Sequence, residues 1–192
     1  LSGSIPGSEV EFYVASLAFT RFFPLTEDWL IRFNSTTSYG DAYGDHTLSL
    51  PPFRNFFGGG PGTVRGYRAR YMGPVDSWNN PYGGNLLIAN QFELIVPIPE
   101  DFRQSARVAL FYDIGGVYDT SDTQFFDRLG DPMSYDYSSD ALKHSIGLGV
   151  EWLAPVGLLK FSLAQPLNAN PQTERFWGDR DEVFQFTVGN AF

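Results

Sequence analysis

Hydrophobic side chains recur at every second position along most of the chain. In the last segment Phe184, Phe186, Val188 and Phe192 fall on one face, and Gln185, Thr187, Gly189 and Ala191 on the other. Between Lys143 and Trp152, Ile146, Leu148, Val150 and Trp152 oppose Ser145, Gly147, Gly149 and Glu151. Leu159, Phe161 and Leu163 oppose Lys160, Ser162 and Ala164, while Val108, Leu110, Tyr112 and Ile114 oppose Arg107, Ala109, Phe111 and Asp113. Leu86, Ile88, Phe92 and Leu94 oppose Gln91 and Glu93. Trp29, Ile31, Phe33 and Tyr39 oppose Arg32, Asn34, Thr36 and Ser38. Glu9 to Phe23 gives a less regular strand with Tyr13, Leu17 and Phe19 outward. The pattern predicts seven full strands, with Leu1 to Ser4 as the end of an eighth. Each strand is close to or above the roughly 9 to 11 residues that a tilted strand needs to cross a bilayer.

The connections alternate in length. Short turns are expected at Pro24 to Asp28, Pro97 to Arg103 and Ala154 to Gly157, and long ones at Asp41 to Gly84, Thr120 to Leu142 and Pro166 to Asp181. An up-and-down meander across a membrane has this rhythm, its short turns usually periplasmic. That orientation also makes the C-terminus periplasmic and sets Trp29 and Trp152 beside the short turns, where an interfacial aromatic girdle belongs. A soluble β-sandwich also alternates and also buries one apolar face. Here, however, the second face is rich in Gly, Ala and Ser rather than long charged residues, and the apolar face recurs on every strand. The expected fold class is all-β: an antiparallel up-and-down transmembrane β-barrel.

Composition narrows this reading. The 192 residues are 43% hydrophobic and 17% aromatic, which excludes disorder. No segment approaches the roughly 18 apolar residues of a membrane-spanning helix. The mean hydropathy of -0.19 decides nothing, because a barrel strand shows lipid only every second residue. A net charge of -9, with 13 scattered basic residues, argues against nucleic acid, whose phosphates need clustered Lys and Arg. With 0 Cys, disulfides and thiolate metal sites are excluded. Leu1 to Gly7 carry no basic region followed by an apolar stretch, so no signal peptide is expected in these residues. The chain reads as mature protein or as a fragment.

Candidate chemistry is sparse. His46 and His144 have no ligand spacing to each other. There is no Gly-x-Ser-x-Gly elbow, and Asn34-Ser35-Thr36 matches a glycosylation sequon by chance on a strand. The run from Gly58 to Gly66 is glycine-rich but lacks the Gly-Lys-Ser/Thr ending of a phosphate loop. Asp119, Asp122, Asp127, Asp131, Asp136 and Asp140 could chelate a divalent ion or simply form a solvated loop. No catalytic residue, metal or cofactor is therefore expected.

The informative residue is Arg65, midway along a connection too long to be structureless without a reason. Its flanks, Asn55-Phe56-Phe57-Gly58-Gly59-Gly60 and Gly66-Tyr67, combine aromatic anchors with glycines that let a backbone fold tightly. Such a loop can tuck into the barrel, where Glu93 and Asp113 lie on the polar sides of neighbouring strands. A guanidinium fork suits two carboxylates. An exposed loop arginine is the competing reading, since a buried cluster also carries a desolvation penalty.

Three stretches carry a family resemblance that covers essentially the whole chain. These are Asn55 to Gly60 leading to Val64-Arg65-Gly66-Tyr67, then Phe111-Tyr112-Asp113-Ile114-Gly115-Gly116-Val117-Tyr118-Asp119, and the ending from Phe184 to Phe192. Here the chain resembles the C-terminal half of the barrel of Omp85-type (bacterial surface antigen) outer-membrane assembly proteins. The resemblance implies that Val64, Arg65, Gly66 and Tyr67 form the tip of an inward-folding loop at 41-84. Glu93 and Asp113 would be its wall partners, with Tyr67 in place of the commoner Phe. It also implies that Phe184, Phe186, Val188, Gly189 and Phe192 form a β-signal along one lip of a lateral seam, with Asn190 breaking the apolar series.

The implied function is an insertase in the outer membrane of a Gram-negative bacterium. Nascent outer membrane proteins, accessory assembly lipoproteins and outer-membrane lipid including lipopolysaccharide are the implied partners. The family's POTRA domains and the first half of its barrel are absent from residues 1–192. Half a barrel leaves two unpaired edges, costly in lipid. The chain is therefore expected to self-associate through those edges, to close as a smaller barrel, or to belong to a larger protein. A secretion channel, a passive pore and a TamA-like assembly protein are the alternative functions.

Overall fold

The computed structural model describes residues 2–3, 10–43, 47, 49–135 and 137–189. Strands in chain order are β1 (Ser2–Gly3), β2 (Phe12–Pro24), β3 (Leu30–Ala42), β4 (Gly66–Tyr67), β5 (Leu86–Val96), β6 (Ala106–Tyr118), β7 (Phe125–Phe126), β8 (Pro132–Met133), β9 (Lys143–Ala154), β10 (Gly157–Pro166), β11 (Asp181–Glu182) and β12 (Phe184–Gly189). Eight of them form one antiparallel sheet in the order β1-β2-β3-β5-β6-β9-β10-β12. Each neighbour in the sheet follows its predecessor along the chain, the meander that the alternating connections predict. Six of the strands span 10 to 13 residues, the described part of β12 spans 6, and that of β1 spans 2, paired with Val14 and Tyr13.

Burial along the strands follows the two-residue period. On β5 the odd positions Leu87, Ala89, Gln91 and Glu93 are buried, while Phe92 between them is exposed. On β6 Ala109, Phe111 and Asp113 are buried, while Leu110 and Tyr112 point out. The outward faces together form a continuous oily band that includes Phe19, Phe92, Leu110, Ile146, Leu148, Leu163, Phe184 and Phe186. Phe33 and Phe92 pack at 4.8 Å across strands, as do Phe161 and Phe186 at 5.0 Å, so the band is an organised aromatic surface. Trp29 and Trp152 are exposed beside the short turns.

The sheet is curled and open. β1 and β12 are its two edges, so among the described residues it does not close on itself. The curvature is strong: Arg32 on β3 reaches Glu151 on β9 at 3.4 Å although β5 and β6 lie between them. Measured along the sheet, three steps of about 4.8 Å would separate these strands.

The described parts of the long connections carry structure of their own. The one between β3 and β5 contains a 3-10 turn at Pro52–Arg54 and the short β4, which pairs with β11. It supplies much of the hydrophobic core, a cluster of Val64, Tyr67, Met72, Leu87 and Val117 with Phe56 packed against it. Leu87 and Val117 are cross-strand partners on the inner wall. The inner face is therefore polar toward the short turns and apolar where the loop docks. The sequence pattern predicts an inner face rich in Gly, Ala and Ser, and Leu87 and Val117 depart from it because they acquire a dry partner when the loop folds in.

An arginine at Leu148, outward and mid-strand on β9, is expected to destabilise the membrane-embedded protein by about 2–4 kcal/mol. Denaturant titration of the complete protein in lipid vesicles measures this, and an unchanged midpoint would mean that the band does not face lipid.

Candidate functional site

The loop reaches the lumen through glycines whose backbone other residues rarely adopt. Gly59 and Gly60 have φ of +91° and +86°, and a Cβ on Gly59 would lie 2.3 Å from the Arg68 carbonyl oxygen. The Gly60 amide donates to the Tyr67 carbonyl at 2.9 Å and the Thr63 amide to the Gly60 carbonyl at 3.1 Å. The chain thus turns back within a few residues, and Arg65 sits at the inner extreme of the turn.

Arg65 is almost fully buried and every guanidinium nitrogen has a carboxylate. Its Nε donates to Asp113 Oδ2 and its Nη2 to Asp113 Oδ1, both at 2.7 Å, a bidentate fork. Its Nη1 donates to Glu93 Oε1 at 2.7 Å. The Arg65 backbone amide adds a bond to Asp113 Oδ2 at 3.0 Å, fixing the main chain as well as the side chain. The guanidinium carbon lies 3.5 Å from the centroid of the Phe111 ring, so a cation–π contact covers one face. Space for that ring comes from Gly147, the cross-strand partner of Phe111, where a Cβ would lie 2.5 Å from the ring edge. Burial works against the Arg65 charge, but bonding and attraction to Asp113 and Glu93 outweigh it and raise its pKa above the ordinary arginine value.

The cluster extends beyond the pair expected from sequence. Glu93 also accepts a short contact from Arg32, which reaches Glu151, which in turn pairs with Lys160 at 3.0 Å. The order Asp113, Arg65, Glu93, Arg32, Glu151, Lys160 alternates in sign, so no member faces a like charge as its nearest partner. It ties the loop to β3, β5, β6, β9 and β10. A parallel relay of neutral groups runs from Thr20 through Asn34 and Gln91 to the Pro61 carbonyl, with bonds of 2.8, 3.2 and 3.1 Å. These groups line a cavity of about 320 Å³ beside the clasp.

The other motif residues hold the loop at the opposite end. Val64 is fully buried against the wall beside Gly115, where a Cβ would crowd it at 3.0 Å. Gly66 has φ of +87° and packs on Ala164 and Pro166, which a Cβ would approach at 3.1 and 3.3 Å. The Tyr67 hydroxyl donates at 3.2 Å to the His144 carbonyl and at 3.1 Å to Asn168 Oδ1. Burial, chiefly, and the nearby Asp179 charge push this hydroxyl's pKa up, so it stays a donor.

Of the seam residues, Phe184, Phe186 and Val188 point outward and Gly189 ends β12. Phe192, like Asn190 and Ala191, lies outside the described residues, as do His46 and Asp136. The Tyr112 hydroxyl meets His144 Nδ1 at 2.5 Å on the outer surface. Asp127 caps a turn by accepting from the Leu129 and Asp131 amides, and Arg175 pairs with Asp127 and Asp131. Among the described residues no cluster of His, Cys, Asp and Glu is arranged to hold a metal ion. Arg32, Glu151, Lys160 and Phe111 are site residues that sequence reasoning did not single out. Alternation puts all four on the inner face, but the pairings Arg32 with Glu93 and Lys160 with Glu151 depend on register.

A curled meander with an outward oily band and an arginine-tipped loop clasped to its inner wall defines an outer-membrane barrel of one class. The Omp85 superfamily domain matches residues 1–192, and the chain belongs to that superfamily. It is 34% identical over 98% of its length to the outer membrane protein assembly factor BamA of Neisseria meningitidis serogroup B, covering 25% of that protein. It is 29% identical over 74% of its length to BamA of Nitratidesulfovibrio vulgaris, covering 16% of that protein. Among solved structures, BamA from Haemophilus ducreyi lacking POTRA domains 1-3 superposes with a TM-score of 0.77 at 27% identity, covering 98% of this chain and 36% of that one. The chain therefore spans about a quarter of the Neisseria relative's length.

Asp113→Ala removes the acceptor of three Arg65 bonds and leaves a buried guanidinium short of a partner. It is expected to cost about 3–5 kcal/mol of loop docking, read as new protease cleavage near Arg65 and a lower unfolding midpoint. Gly66→Ala places a Cβ in a left-handed conformation and is expected to cost about 1–2 kcal/mol from backbone strain alone, measured by the same titration.

Proposed function

We propose that this chain supplies the C-terminal part of the barrel of an outer-membrane protein assembly factor, an insertase of the BamA type. The observation that carries this reading is the combination of an exposed strand edge with a loop clasped inside the same barrel. Among the described residues β12 pairs with β10 alone, and its other edge carries main-chain donors and acceptors of the kind an incoming strand pairs with. In lipid such an edge cannot be satisfied by water, so it favours β-augmentation by another chain. The chemistry required is hydrogen-bond exchange, which needs no nucleophile, metal or cofactor.

On this reading the protein resides in the outer membrane of a Gram-negative bacterium, in keeping with relatives that are outer membrane protein assembly factors. Nascent outer membrane proteins are its substrates, accessory assembly lipoproteins its partners, and lipopolysaccharide-containing lipid its surroundings. The remaining strands and the POTRA domains come from the rest of the protein, so the edge at β1 is joined within that larger barrel. The loop occupying the lumen argues against an open passive pore, since Arg65 and its carboxylate partners stand inside the curve of the sheet.

The test compares two activities of the complete protein in lipid vesicles: acceleration of the folding of an unrelated outer-membrane barrel, and ion conductance. Acceleration with little conductance is expected; steady conductance without acceleration would overturn the assembly reading. Arg65→Ala is expected to slow assembly, because a loss of about 3 kcal/mol changes the ratio of docked to free loop by roughly two orders of magnitude.

A further inference from the structure

The start of the final strand is held by the loop motif rather than by the strand beside it. β10 and β12 pair in register from Leu158 with Gly189 to Leu163 with Phe184, and the Ala164 amide still donates to the Val183 carbonyl at 2.8 Å. Continued by two residues, this ladder would call for an amide at position 166 donating to Asp181. That position is Pro166, which has no N–H. Pairing with β10 stops there, and Asp181 and Glu182 pair instead with Tyr67 and Gly66 of the motif. The Arg68 amide extends the ribbon by donating to the Arg180 carbonyl at 2.8 Å.

A side chain reinforces the exchange from within the barrel. Gln185, buried on the inner face of β12, donates through Nε2 to the Tyr67 carbonyl at 2.9 Å. The same nitrogen lies 3.2 Å from Glu182 Oε2, which orients the amide toward the loop. Tyr67 is the residue after Gly66, so the carbonyl that Gln185 holds is two peptide units from the Arg65 clasp. Gly66 fits between them because it lacks the Cβ that Ala164 and Pro166 would exclude.

We propose that Gln185 is a positioning residue which, with the β4–β11 ribbon, latches the last strand to the loop motif. The seam strand then cannot leave its place until the loop lets go. This rests on the assembly reading and adds to it a cause: the loop is a surrogate neighbour for the upper end of the edge strand. The clasp at Arg65 and the availability of the β12 edge become one equilibrium, and a substrate strand that pairs with β12 competes with the loop for the segment around Asp181.

The test uses the complete protein in lipid vesicles. Gln185→Met keeps the side-chain length but removes the donor. Hydrogen exchange of the amides from 184 to 189 is expected to rise about tenfold while those of Glu93 and Asp113 on the wall stay protected. Unchanged exchange at 184–189 would overturn the latch. A second variant joins loop to strand covalently: cysteines at Arg68 and Arg180, cross-strand neighbours outside the clasp, oxidised to a disulfide. The locked protein is expected to lose assembly activity and to regain it on reduction. Assembly at the unmodified rate by fully oxidised protein would overturn the latch while leaving the assembly reading intact. Failure of the unmodified protein to accelerate folding would instead defeat the assembly reading itself.

Discussion

The structure depends on a buried arginine being neutralised from two strands at once. A guanidinium held in the interior of a barrel would be very costly alone, and the cost is offset only because Asp113 accepts three of its bonds and Glu93 a fourth. Asp113 lies on β6 and Glu93 on β5, so Arg65 fixes the loop relative to two neighbouring strands. The continuation through Arg32, Glu151 and Lys160 spreads the constraint around the curve of the sheet. Removing any inner member breaks the chain and takes a partner from both of its neighbours, which makes the cluster cooperative rather than a sum of pairs.

This arrangement explains the division of hydrophobic material. A soluble sheet protein would pack its oily faces together, whereas here Leu148, Phe184 and Phe186 stay on the outside. The core is made instead by Val64, Tyr67 and Met72 from the loop against Leu87 and Val117 from the wall. The inner residues that make room are small for that reason: Gly147 admits the Phe111 ring beneath Arg65, and Gly115 admits Val64. The loop is part of the fold as well as part of the site, so a change at the motif is a change in packing too.

The same economy of contacts appears at the edge of the sheet. Pro166 ends the ladder of β10 without cutting the strand short, and the loop motif takes over as partner for Asp181 and Glu182. Edge strands are a hazard in most proteins because they invite further pairing. In a superfamily whose relatives include outer membrane protein assembly factors, an edge with one end secured by an internal loop keeps that hazard in check without removing it.

The sequence by itself determined the strands, their inward and outward faces and the rhythm of short and long connections, because a period of two is written directly into which residues are oily. It also offered Arg65, Glu93 and Asp113 as a candidate cluster against an exposed loop arginine, a choice that the family resemblance tipped toward burial. Three things waited for the tertiary structure: that Arg32, Glu151 and Lys160 join the cluster, that Leu87 and Val117 are apolar because a loop covers them, and that Gln185 answers to Tyr67. Each depends on the strand register and the curvature that bring residues far apart in the chain within bonding distance. Those quantities arise from the packing of the whole sheet, and no local pattern encodes them.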